Sequence, residues 1–529
     1  MRDDAMLALR RHAAALALVP LAYLVLFHGL GRYGVVNGDE GFYHVVAATM
    51  LETGNYFRLD FYGEHRLYDT FMNAPLHYWS RALVIGLVGD GALGMRLQSA
   101  GFGLASVLLT YGFARRLAGA RAAFLAAAVQ LTTFQFIYWH AARTGELDTA
   151  AAFFLTAVAA SFARFIETGR GVVLHHVCWL LLANWKLPLG LVPLLAEAAL
   201  FVLLPAARRR LRPWLRAAVV VLPLGFVWHV GQLIVHWDGF VEVATRMLEQ
   251  ASQPMEGSHR QGIAANAEFY FFAVLYGAFP YSLLYPFAFV TMLSAREENG
   301  RVRWLVLGAF VVSVFVFFAL VQKHLRWYWL PALPLLSIFV GGWLDQIGRR
   351  RFALSAVGGL AVLVAGLAVV DVGLLTANPF AGRTASLPMV TPLRSWFGRP
   401  LADAAWLALG VVFLFGSLRV LRPRWLPPLA AAIAVLALAT GTLRVLAPLQ
   451  YLDHRTEMAR VRSRIDADRA AGREPALPIA LREGGELKVR ALFAGDFEIL
   501  PGRGDVSFWL LAPGDPRAGA SIRRGLPRD

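Results

Sequence analysis

Charge is scarce in this chain. Of 529 residues only 16% are charged, against roughly 25% in a soluble domain, which excludes an ordinary soluble architecture. Cysteine is almost missing: the single Cys178 rules out an intramolecular disulfide and any cysteine-based metal cluster. Acidic residues are the rarer sign, 35 against 51 basic ones. The net charge of +16 would suit nucleic acid, but the arginines sit in short clusters between apolar runs, as in cytoplasmic loops, so no nucleic-acid partner is expected. There is no internal repeat and no low-complexity tract. No small-residue cleavage site follows the first apolar run, so the helix after Arg10 and Arg11 is read as retained.

What is abundant is apolar sequence, 57% of the chain, in long runs from residue 13 to residue 447. Runs of this length span bilayers as helices. The expectation is an all-α polytopic membrane protein of about thirteen transmembrane helices, near 13–30, 96–114, 122–140, 149–166, 171–185, 188–205, 214–236, 268–293, 304–322, 329–345, 352–375, 401–418 and 426–447. Arginine clusters such as Arg208–Arg210 and Arg349–Arg351 fall in every other connection, which predicts a cytoplasmic N-terminus and an external C-terminus. Three regions follow: a membrane domain over 1–447, a first external loop over 31–95 within it, and a small α/β domain over 448–529. In that tail "TEMARVRSRIDADRAA" has helical spacing, while "LPIALR", "LKVRALF" and "VSFWLL" are β-prone runs.

The polar residues collect at the external ends. The first loop carries Asp39, Glu40, His44, Asp60, Glu64, His65, Arg66 and Asp69; the next turns carry Arg143, Glu146 and Asp148, then Lys186, then Lys323, His324, Arg326 and Tyr328. Charges at a membrane boundary are costly and tend to face a cavity or a partner, although a lone lysine or arginine can simply snorkel. Lys186, in a very short external turn, sits on the side that the distribution of basic residues disfavours. Basic groups at three turns opposite acidic ones predict one charged pocket, open to the bilayer and wet above. Such a pocket suits a lipid-linked phosphate: cations hold its oxygens, a carboxylate takes a proton from an attacking hydroxyl, and stabilising the leaving phosphate is the main catalytic task. His175 and His176 are read as interfacial, His229 and His236 as a weak candidate metal pair, and the aromatic run from Glu268 to Phe287 as one lipid-facing helix with Tyr270 at its external end.

Several stretches resemble the membrane glycosyltransferases of the C-type fold, in particular those related to protein O-mannosyltransferases and the lipid A aminoarabinose transferase. The likeness covers almost the whole chain and is densest over 37–205. "DEGFYHVVAATMLETGNYF" is similar to that family's Asp-Glu-x-x-Tyr opening of the first periplasmic loop, with Asp39, Glu40 and Tyr43 in place. "APLHYW" resembles its Pro-Pro-Leu-His-Tyr-Trp element, with His77. "MRLQSAGFGLASVLLTYGFARRLAG" is similar to a family helix, "ARTGELDTAAAFFLTA" to an Arg-x-x-x-x-Asp element with Arg143 and Asp148, "NWKLPLGL" to Thr-Lys-Gly-Pro with Lys186, and "RWYWLPALPLLSIFVG" to Tyr-x-x-Pro-Ala-x-Pro with Tyr328.

The resemblance implies amphipathic helices in the first periplasmic loop. It implies transfer from a polyprenyl-phosphate sugar on the periplasmic face of a bacterial inner membrane, with inversion, and Asp39 and Asp148 as catalytic carboxylates. Glu40, Tyr43, His77, Arg143, Lys186, Lys323, His324, Arg326 and Tyr328 are the implied substrate contacts. The acceptor stays open among lipid A, a lipopolysaccharide core sugar, another glycolipid or glycan, and an exported protein; the sugar is open too. Met72-Asn73-Ala74-Pro75 stands where the family often has Glu-Lys-Pro-Pro, Phe42 where it often has arginine, and Lys323 lies one residue early. With that glutamate absent, no cofactor is expected to be required, although the acidic residues could take a divalent cation. Membrane lipids are the remaining partners, and the chain is expected to act as a monomer. The rival from another class is a transporter or flippase of polyprenyl-linked sugars, which predicts charges near the bilayer midplane and broken helices in paired halves.

Overall fold

The computed structural model describes residues 18–31, 38–61, 64–73, 75–138, 140–252, 262–294, 298–321, 325–348 and 426–446, with three strands beyond them. The first part runs α1 (Leu18–Phe27), α2 (Gly38–Thr53), β1 (Asp60–Phe61), β2 (Glu64–His65), α3 (Leu67–Met72), α4 (Leu76–Val88), α5 (Ala92–Ala118), α6 (Ala120–Leu131), α7 (Phe134–Ile137), α8 (Asp148–Thr168), α9 (Val172–Ala183) and α10 (Leu191–Leu203). The second runs α11 (Pro205–Arg208), α12 (Leu211–Gly225), α13 (Val227–Val235), α14 (Trp237–Ser252), α15 (Ile263–Gly277), α16 (Tyr285–Leu293), α17 (Glu298–Leu320), α18 (Leu333–Gly348) and α19 (Leu426–Leu446).

Among the described residues four helices are long and apolar enough to cross a membrane: Ala92–Ala118, Asp148–Thr168, Arg301–Leu320 and Leu330–Ile347. The pair α12 and α13, bent by 44°, makes a fifth. Six shorter apolar helices, among them α1, α9 and α19, accompany them. The helices expected near 352–375 and 401–418 lie outside the described residues.

Three expected spans are broken. The helix expected over 122–140 stops at Leu131, because Thr132 and Thr133 donate their hydroxyls to the carbonyls of Ala128 (2.6 Å) and Val129 (2.7 Å). Such back-bonding competes with the helix ladder; the short helix α7 follows, and residues 140–147 before α8 are irregular and buried. The helix expected over 214–236 is split at Phe226, three residues after Pro223, a common cause of a kink. The aromatic run expected as one lipid-facing helix is split between α15 and α16 around a 3₁₀ turn (Tyr281–Leu283), with Pro280 before it and Pro286 after it. Tyr270, Tyr281 and Tyr285 on it are buried within the protein.

Close helix approach sets the core. Gly341 on α18 faces α6, where an added Cβ would stand 2.6 Å from the Ala122 carbonyl. The alanine-rich face of α6 and this glycine let the two backbones meet, the usual device where lipid leaves no hydrophobic drive between helices. The first loop holds α2, α3 and α4 with a small antiparallel ribbon pairing Asp60 with His65. In the tail, β3 (Leu477–Ile479), β4 (Glu498–Pro501) and β5 (Phe508–Leu511) form an antiparallel sheet in the order β3-β5-β4. The runs "LPIALR" and "VSFWLL" contain two of these strands, β4 falls on a stretch that was not singled out, and "LKVRALF" and the polar helix lie outside the described residues.

Candidate active site

The site is built on a layer of three fully buried arginines. Arg96 at the start of α5 grips Glu40 in the first turn of α2: Nε donates to Oε1 (2.6 Å) and Nη2 to Oε2 (3.0 Å). The Gly145 N–H donates to the same Oε1 at 2.9 Å. Arg81 on α4 donates to the Gly145 carbonyl and to Gln98 Oε1 at 3.2 Å. Arg143 donates to the carbonyls of Val25 (2.9 Å) and His28 (2.8 Å) at the end of α1. Gly145 has no room for a side chain: an added Cβ would be 2.4 Å from the Met95 carbonyl and 3.0 Å from Arg81 Nη1. These contacts pin the irregular segment 140–147 and fix how α2 and α8 enter the centre.

Successive helical residues point about 100° apart, so the pinning of Glu40 decides where Asp39 goes. Glu40 is fully buried, while the Asp39 side chain is 58% exposed. From Asp39 a line of charged groups crosses the centre. His140 Nδ1 stands 4.0 Å from Asp39 Oδ2, 3.9 Å from Asp148 Oδ2 and 2.7 Å from the buried Glu146 Oε2. The other Asp148 oxygen accepts from Lys186 Nζ at 2.7 Å, and that ammonium lies 4.9 Å from the centre of the Tyr328 ring. Lys186 is placed by the turn between α9 and the 3₁₀ helix Leu187–Gly190, whose neighbour Trp185 donates to the Leu147 carbonyl at 2.9 Å. Burial, and then the charge of Asp148, push the Tyr328 phenol well up, so it is neutral at physiological pH.

Behind this line, His77 on α4 is buried in a ring of Tyr43, Tyr78 and Trp185 (centroids 4.9, 5.3 and 5.2 Å away). Neither of its nitrogens has a hydrogen-bond partner. Burial, helped by Arg81 and Lys186, holds it well below the usual histidine range, and it stays neutral.

The structure therefore sorts the expected site residues. Asp39, Asp148, Lys186 and Tyr328 converge, with Arg326 half-buried next to Trp327. Tyr43 and His77 pack edge to face as an aromatic backing behind them. Glu40 and Arg143, expected as substrate contacts, are fully buried: Glu40 pairs with Arg96 and accepts from the Gly145 N–H, and Arg143 donates to the carbonyls of Val25 and His28. Lys323 and His324 lie outside the described residues. Two residues of the centre were not selected from the sequence: Glu146, noted only as a polar residue of its turn, and His140, which nothing in the spacing marks. His175 and His176, expected at an interface, are buried; His175 Nε2 is 3.3 Å from Glu197 Oε1. His236 faces His65 (centroids 4.8 Å) and His229 packs on Phe226 (5.6 Å), so the two do not form a pair. Among the described residues no group of three His, Cys, Asp or Glu converges as metal ligands do.

Next to the centre runs a groove of about 800 Å³ walled by Trp79, Leu180, Leu181, Leu224, Val227 and Trp228, with Arg58, Gln232 and His236 also lining it. It shares two stretches of chain with the centre: Leu76, beside His77, and Asn184, two residues before Lys186.

A family model described as dolichyl-phosphate-mannose-protein mannosyltransferase matches residues 72–230. An undecaprenyl phosphate-alpha-4-amino-4-deoxy-L-arabinose arabinosyl transferase of Pseudomonas fluorescens is 28% identical over 492 residues, 87% of this chain and 82% of that protein. An uncharacterized protein of Aquifex aeolicus is 26% identical over 347 residues; the match spans 64% of this chain and 64% of that relative, just under two thirds of its length. The crystal structure of ArnT from Cupriavidus metallidurans bound to undecaprenyl phosphate matches with a TM-score of 0.56 at 22% identity, covering 86% of this chain and 81% of ArnT. Its apo form matches with 0.53 at 23%, covering 82% and 76%. The chain therefore has the C-type glycosyltransferase fold and resembles the family of protein mannosyltransferases and lipid A aminoarabinose transferases.

Proposed function

We propose that this chain moves a sugar from a polyprenyl-phosphate donor to a hydroxyl of an envelope glycolipid or glycan, with inversion. In this reading the reaction takes place on the external face of a bacterial inner membrane, with the N-terminus inside and the C-terminus outside. The observation that carries the reading is the line Asp39, Asp148, Lys186 beside an apolar groove. The groove suits an isoprenoid chain, and the Lys186 ammonium suits the phosphate at its head. The names of the Pseudomonas and Cupriavidus relatives, which carry undecaprenyl phosphate, support the same donor class.

The chemistry follows from the positions. The acceptor oxygen attacks the anomeric carbon opposite the phosphate while Asp39, the exposed carboxylate, takes its proton. The bond from the anomeric carbon to the phosphate oxygen breaks, and the electron pair leaves with the phosphate. Lys186 stabilises that charge from a site already organised by Asp148 and Tyr328. Asp39→Asn keeps size and hydrogen bonding and removes basicity. Turnover should fall by roughly 10²–10⁴-fold while binding of the donor is kept. Near-normal turnover of Asp39→Asn on a hydroxyl acceptor would reject Asp39 as the base.

Lipid A, a lipopolysaccharide core sugar and other glycolipids all present such a hydroxyl, and an exported protein is the second reading, favoured by the mannosyltransferase match over 72–230. Mass spectrometry of envelope lipids, glycans and glycoproteins from a deletion strain separates them.

A further inference from the structure

The residue at the centre of the charged line is one that the proposed chemistry does not use. His140 is the one non-glycine residue among those described with a left-handed backbone, at φ +50°. Strained backbone of this kind persists where the surroundings over-determine it, and it clusters at functional sites. Two contacts hold the ring. It lies flat on the Trp327 indole, with centroids 3.5 Å apart and planes within 5°. Its Nδ1 is 2.7 Å from Glu146 Oε2. That same nitrogen is nearly equidistant from the Oδ2 atoms of Asp39 and Asp148. Three carboxylates from three places in the chain (the start of α2, the segment before α8, and the start of α8) thus converge on one imidazole edge.

We infer that His140, clamped by Trp327 and Glu146, is a positioning residue whose imidazolium holds Asp39 and Asp148 in their working arrangement and offsets their mutual repulsion. This rests on the reading of the centre as a site of glycosyl transfer. Without a cation at that point, Asp39 and Asp148 repel each other, and the exposed Asp39 swings away from the acceptor. Lys186 alone cannot replace it, because it is engaged on the far oxygen of Asp148. The groups facing the imidazole are Asp39 from α2, Glu146 from its own segment, Asp148 from α8 with Lys186 behind it, and the Trp327 ring from the segment before α18; Glu40 adds its charge through Glu146. Burial opposes the charged ring, but the charge and hydrogen bond of Glu146, then Asp148 and Asp39, outweigh it and shift His140 upward from its ordinary value. The imidazolium is therefore favoured here over that of an ordinary histidine and is lost as pH rises through the raised value.

The test uses the full chain in nanodiscs, with wild type, His140→Gln and His140→Phe compared over pH 6 to 10. Binding of undecaprenyl phosphate is measured separately from turnover of undecaprenyl-phosphate-linked sugars. Wild-type turnover should fall on the alkaline side. His140→Gln should run at least about thirtyfold slower at neutral pH, keep undecaprenyl phosphate affinity within threefold, and lose the alkaline limb. His140→Phe, which keeps the stack on Trp327, should behave like His140→Gln. In the double variant with Asp39→Asn the combined loss should fall well short of the product of the two, because one of the two carboxylates that His140 holds is then already neutral. A His140→Gln enzyme within threefold of wild type, an alkaline limb that survives in it, or losses that multiply would overturn the inference while leaving the proposed function standing. A wild-type protein inert towards every polyprenyl-phosphate sugar would remove the proposed function, and this inference with it.

Discussion

Glu40→Gln separates a residue that builds the site from one that touches substrate. Glu40 and Arg96 are both fully buried, and the carboxylate accepts two bonds from Arg96 (2.6 and 3.0 Å) and one from the Gly145 N–H (2.9 Å). The amide substitution removes the charge and turns one acceptor oxygen into a donor facing a guanidinium. Breaking a buried pair by removing one partner costs roughly 3–5 kcal/mol, mostly because the remaining charge stays buried. The segment 140–147 is also held by Arg81 and Arg143, so the loss should stay local enough for the variant to be purified. Apparent melting temperature in detergent, at one fixed scan rate, should be clearly lower for Glu40→Gln. The double variant Glu40→Gln/Arg96→Met, which removes both charges, should recover much of it. Turnover should track the fraction of folded protein. A Glu40→Gln protein that melts with wild type yet loses turnover would refute the structural role and return Glu40 to the substrate contacts.

Lys186→Ala removes a charge-assisted contact of roughly 1.5–3 kcal/mol and should lower turnover by at least an order of magnitude; unchanged kinetics in a folded variant would reject the phosphate assignment. Gly145→Ala places a methyl 2.4 Å from the Met95 carbonyl and should depress both melting temperature and yield, whereas alanine at Gly101, which has nothing within 4 Å of an added Cβ, should not. Reporter fusions after residue 210 and after residue 529 should report opposite sides of the membrane; the same side for both would break the orientation drawn from the arginine clusters.

Much of this protein is decided within single stretches of sequence. Apolar runs with arginines between them suffice for a helical membrane protein, because a bilayer leaves the backbone no other way to satisfy its hydrogen bonds. The short turn carrying Lys186 and the Asp148 that opens α8 were legible for the same local reason: a charge next to an apolar run needs a cavity or a partner. What depends on partners far along the chain was not legible. Adjacent Asp39 and Glu40 look alike as letters, and only Arg96, 56 residues on, decides that one is buried and the other faces the centre. The guanidinium of Arg143 is oriented by carbonyls of α1 and the turn after it, 115 and 118 residues away, which its own stretch does not announce. The break after Leu131 depends on whether two threonine hydroxyls turn back onto the helix, which apolar periodicity does not record. His140 had no motif to mark it, since its place is set by Trp327, Asp39 and Asp148 arriving from separate segments. Local hydrophobicity and chain connectivity act over a few residues and can be read from them; the placement of a buried charge is a property of every group that surrounds it.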